Sequence, residues 1–96
     1  MNILRQITAM AGHGCSIVIM TYSVTDGWLR QLMKLIGEFQ VAKTVLVLDR
    51  DVMIRHREKL LQIERIATEC HLTDSHAKMY YANGPDGAVA VITSAH

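Results

Sequence analysis

CSIVIMTYSV, residues 15–24, is a β-branched apolar run with no polar alternation. A strand with one wet face alternates apolar and polar side chains, and a strand covered on both faces does not. The run therefore predicts a central strand covered on both faces. TDGWLRQLMKLIGEF (25–39) follows it. Thr25 or Asp26 can cap a helix N-terminus, and Leu29, Leu32, Met33, Ile36 and Phe39 recur at helical spacing. AKTVLVLDRD (42–51) is a second continuous apolar strand that stops in charge. Strand, helix and strand in this order predict a parallel pair joined by a right-handed crossover.

The same reasoning extends in both directions. Ile3, Leu4, Ile7 and Ala11 predict a helix over 3–11, stopped by Gly12-His13-Gly14. Leu60, Ile63 and Ala67 share one face of a second amphipathic helix over 53–69. Beyond residues 70–75 the pattern changes. HAKMYYA (76–82) and AVAVITSA (88–95) flank Asn83-Gly84-Pro85-Asp86-Gly87, a dense turn signal that predicts an antiparallel hairpin. The fold class is α/β: a mixed β-sheet with a parallel βαβ portion, an antiparallel hairpin and helices packed on the sheet. Ninety-six residues form a single domain, 1–96.

Half the residues are hydrophobic, a fifth are charged, and the formal net charge is +1. No global field draws in a polyanion, so anion binding must be local. The most basic stretch holds Arg50, Arg55, His56, Arg57 and Lys59, and reads as a solvated helix face. Cys15 and Cys70 make no disulfide framework and read as buried free thiols of a reducing compartment. Arg5 and Gln6 interrupt the short apolar pieces at the N-terminus, and no segment reaches membrane-spanning length. A cytoplasmic protein without a membrane span is the expectation. Cys70, His71 and His76 match no zinc spacing, and Gly12-His13-Gly14 lacks the P-loop lysine. No metal and no cofactor is expected.

Side chains alternate across a strand, so His76, Lys78 and Tyr80 share one face. With 83–87 as a five-residue loop, Ala82 pairs with Ala88, Lys78 faces Ile92, and His76 faces Ser94. His96 then lies one diagonal step from His76. An imidazole, an ammonium and a hydroxyl converging on one patch suit a phosphate: lysine supplies charge, and histidine attacks phosphorus or moves a proton. Asp49, Arg50 and Asp51 end a parallel strand, the side of an open α/β sheet where ligands bind. These residues are either a plain polar strand terminus or, if functional, supply Arg50 as a secondary phosphate contact, and Tyr22 and Ser23 are rim candidates of the same kind. Tyr80 and Tyr81 can stack on a base, or serve as core and strand-face aromatics.

HAKMYYANGPDGAVAVITSAH (76–96) resembles the His-x-Lys signature of the phospholipase D superfamily with its following strand and Ser-x-Asn segment. The preceding strand, helix and strand also look like that family's opening. With one His-x-Lys, the chain is most similar to the small dimeric nucleases of the superfamily. The resemblance implies a metal-independent phosphodiesterase, an endonuclease acting on nucleic acid as a homodimer. His76 would be the nucleophile that forms a phosphohistidine, Lys78 would bind non-bridging oxygens, and Ser94 would add a hydrogen bond. Asn83 stands where the family has aspartate, and His96 where it has asparagine. These two departures favour an alternative, a catalytically degenerate nucleic-acid-binding or partner-interaction module. Family members continue with further helix and strand, so a further segment C-terminal to His96 is expected.

Overall fold

The computed structural model describes residues 1–75 and 77–93. Helix α1 spans Asn2–Ala11, strand β1 Ser16–Thr21, helix α2 Asp26–Phe39 and strand β2 Lys43–Asp49. Helix α3 (Arg50–Arg55), a 3-10 turn (Arg57–Lys59) and helix α4 (Leu60–Ile66) then lead to strand β3, Glu69–Thr73. Strands β4 (Lys78–Gly84) and β5 (Gly87–Thr93) close the described chain. The sheet order is β3-β2-β1-β4-β5. β1, β2 and β3 run parallel, and β4 is antiparallel to both β1 and β5. The α/β class, the mixed sheet, the βαβ portion and the hairpin all form as the sequence predicts.

Helix α2 begins as its capping residue dictates: Thr25 Oγ1 accepts from Trp28 N at 3.1 Å. Its buried stripe is Leu29, Leu32 and Leu35, while the expected Met33 is exposed. These leucines join Leu4, Ile7 and Ala11 of α1, Ile63 of α4, and Ile17, Ile19, Leu46, Leu48 and Ala82 of the sheet in one core. The connections from β1 to β2 and from β2 to β3 step the same way along the sheet. Right-handed crossovers that step the same way leave their helices on the same face. The expectation of cover on both faces is therefore corrected. Alternate residues of β1 and β2 are fully buried, but Val18, Met20, Val45 and Val47, on the opposite face, are only half-buried.

The second helix is also corrected. The segment predicted as one helix over 53–69 breaks at His56, whose φ of −127° and ψ of 51° are not helical. It ends at Ile66, and residues from Glu69 form β3, an edge strand that the pattern did not announce. The hairpin differs in register. Gly84 pairs with Gly87, leaving a two-residue turn of Pro85 and Asp86, so Lys78 lies opposite Thr93 and Ile92 opposite Met79. The register that set Ser94 against His76 is thus displaced by one residue in the described hairpin. His76 and Ser94 themselves lie outside the described residues. Asp86 N donates to Ala11 O at 2.9 Å, which fastens the turn to the end of α1.

Candidate functional site

One edge of the sheet collects every candidate on the described chain except Tyr80, Tyr81 and Asn83, which lie further along β4. The parallel strands end there at Thr21, Asp49 and Thr73. Because β4 is antiparallel to β1, it begins at that edge with Lys78, and β5 ends there with Thr93. In an open α/β sheet this is the side where ligands bind.

Lys78 shares its strand face with Tyr80 and Ala82, the face that the helices cover. Its Nζ stands 5.0 Å from the centre of the Tyr22 ring, which follows directly on β1. That contact holds the ammonium over an aromatic face without neutralising it. Thr93, directly across the hairpin, brings a hydroxyl to the same face. Leading into Lys78, the backbone is folded by two side-chain turns. Ser75 N donates to Thr73 Oγ1 at 3.2 Å, and Ala77 N donates to Ser75 Oγ at 3.1 Å. His76, Ser94 and His96, the remaining sequence candidates, lie outside the described residues.

The other candidates separate. Arg50 opens α3 and reaches Asp74 Oδ1 at 3.5 Å, tying the exits of β2 and β3 together at the same edge. Asn83 is exposed on the face of β4 opposite to Lys78, paired with Ser16 and Ala88. The chain does not bring it to the lysine. Tyr80 lies between Ile19 and Val91, partly buried, and packs against the core as a strand-face aromatic. Asp49 is buried, and its Oδ1 accepts from Asp51 N at 2.8 Å as the cap of α3.

Two features escaped the sequence. Thr93 was hidden by the register. The second is a polar cleft of about 510 Å³ between the β1 exit and α3, lined by Tyr22, Ser23, Thr25, Asp26, Arg55, His56 and Lys59 among others. The stretch read as a solvated helix face thus supplies three polar side chains, Arg55, His56 and Lys59, to one cavity. The helical break at His56, which contains no glycine or proline, gave no signal.

Neither thiol is arranged as a nucleophile. Burial pushes the Cys15 thiol up from its ordinary value. Cys70 is exposed at the edge of the sheet, yet partial desolvation, with Glu64 nearby, also pushes it up. Among the described residues no three His, Cys, Asp or Glu side chains come together as metal ligands. No helix of the described chain is long and apolar enough to cross a membrane. No family model matches the chain, and neither the curated proteins nor the solved structures contain a significant match.

Proposed function

We propose that the protein is a phosphodiesterase of the phospholipase D type, a metal-independent endonuclease that works as a homodimer. The observation that carries this reading is the position of Lys78. Its ammonium stands over Tyr22 at the carboxyl edge of the parallel strands, with Thr93 across from it and His76 two residues before it. Charge and a neutral donor are what a phosphodiester's non-bridging oxygens require.

In this reading His76 attacks phosphorus as the bond to the leaving oxygen breaks, forming a phosphohistidine. The equivalent histidine of a second copy protonates the leaving oxygen. It then takes a proton from water, whose oxygen attacks phosphorus and releases His76. The sum is one phosphodiester and one water converted to a monoester and an alcohol. Lys78 and Ser94 hold the non-bridging oxygens throughout. One His-x-Lys per chain makes the second copy necessary, with two-fold symmetry supplying both histidines. Two free thiols suit a reducing cytoplasm.

The test is cleavage of plasmid DNA and of bis-p-nitrophenyl phosphate in EDTA. Wild type should turn over both. His76→Ala should lose roughly 1,000-fold or more, and Lys78→Ala on the order of 100-fold or more through lost charge stabilisation. Absence of turnover by a dimeric wild type would remove the enzymatic reading. The second reading, a binding module that has lost turnover, is favoured by His96 in place of asparagine. Asn83 carries less weight for it, because that residue lies on the far side of β4 from Lys78.

A further inference from the structure

We infer that the cleft beside Tyr22 is a second phosphate subsite, which holds a polynucleotide strand one phosphate away from the diester bound at Lys78. The identity of the neighbouring site rests on the phosphodiesterase reading above. Tyr22 is the shared wall: its ring lies under Lys78 Nζ, and it also lines the cleft.

The cleft is rich in donors. Arg55 is exposed, and its Nε donates to Asp51 O at 3.3 Å, which steadies the side chain. Its two terminal nitrogens have no partner among the described residues. Lys59 is held 2.9 Å from Asp26 Oδ1, which engages one of its three donors. His56 Nδ1 lies 3.5 Å from Glu58 Oε1, so the other ring nitrogen remains for a ligand. Thr25 Oγ1 accepts from Trp28 N and keeps its own proton to donate. Among the lining residues one carboxylate, Asp26, stands against these, and Glu58 lies outside the lining beside His56. Among the lining residues, Arg55 and Lys59 against Asp26 leave an excess of one positive charge to face a phosphodiester. A phospholipid carries a single phosphodiester, whereas a polynucleotide repeats it, so adjacent phosphate sites select the polymer. In a chain of net charge +1, this local excess is what would guide it.

Binding is measured by fluorescence anisotropy on the His76→Ala protein, with labelled thymidine dinucleotide and octanucleotide. The octanucleotide should bind more tightly than the dinucleotide. Arg55→Gln should weaken the octanucleotide about 5- to 10-fold and reduce its salt dependence by about one phosphate contact. Asp26→Asn should tighten it, because a competing charge is gone. Opposite signs at one cleft cannot both come from misfolding. Dinucleotide binding should not change in Arg55→Gln, and neither should bis-p-nitrophenyl phosphate hydrolysis by the otherwise native protein.

Equal octanucleotide affinity and salt dependence in wild type, Arg55→Gln and His56→Gln would overturn the subsite. So would an octanucleotide that binds no better than the dinucleotide while inorganic phosphate alone shifts the Ser23 and Thr25 amide resonances, which would mark a free-phosphate site. A protein without hydrolysis that still shows the Arg55 effect would lose the phosphodiesterase reading and keep the polynucleotide subsite.

Discussion

Gly84 is required by proximity and not by backbone conformation. A Cβ at this position would lie 2.5 Å from Ala11 O and 2.7 Å from Cys15 Cβ, where the hairpin closes on the end of α1. Backbone cannot give way there as the tip of a side chain can. Gly84→Ala should lower unfolding free energy by about 1–3 kcal/mol. Gly37 is the control: it sits within α2, exposed, with no atom near a would-be Cβ. Gly37→Ala should raise stability by about 0.5–1 kcal/mol. Urea titration with an unchanged slope measures both. At this scale the spacing of His76 and Lys78 was legible, but the neighbour of Lys78 was not. Asn83-Gly84-Pro85-Asp86-Gly87 is turn-forming at every position, so composition could not say which residues belong to the ladder. Gly84 and Gly87 pair as its last rung, and that moves Thr93 opposite the lysine.

Among the elements, β1, α2 and β2 were legible because their hydrophobic periods are long and consistent. β3 was not, because ECHLT has four exposed residues of five and pairs with β2 alone. A short edge strand buries too little to imprint a period on its sequence. The break at His56 was equally silent, although it governs how the basic stretch is displayed. Lys59, beyond that break, reaches back to the first turn of α2. Its hydrogen bond, and then its charge, hold the Asp26 carboxyl below the ordinary value of 3.8. A carboxyl with a depressed folded-state pKa binds fewer protons folded than unfolded in this range, so stability rises with pH through it. The contribution is complete above pH 3.8 and disappears as pH falls through the lower, folded value. Lys59→Met should therefore flatten the acid limb of the stability–pH profile below that point and leave its slope unchanged near neutrality. Chemical denaturation at a series of pH values measures it. The pair is exposed on the aspartate side, so added salt should shrink the difference.

For the molecule as a whole, the class was legible and the layering was not. An unbroken apolar strand suits cover on both faces, yet the helices pack on one. Adjacent residues of β2 therefore have unequal roles. Leu46 is fully buried in the core, and Val47 is half-buried on the other face between Met20 and His71. Leu46→Ala should cost about 2–5 kcal/mol through the cavity it leaves, and Val47→Ala roughly half of that or less. Equal losses, read from urea midpoints at constant slope, would mean that the second face is covered too. The placement of α1 has a different kind of consequence. It precedes β1, but it packs chiefly on β4 and β5, which follow every other described element. During synthesis its apolar stripe of Leu4, Ile7 and Ala11 lacks most of its docking surface until the hairpin has left the ribosome, with α2 supplying the smaller part. Docking α1 on the hairpin therefore closes a long loop, from Ala11 to Lys78, and a nascent chain stalled before Lys78 would present part of that stripe to chaperones.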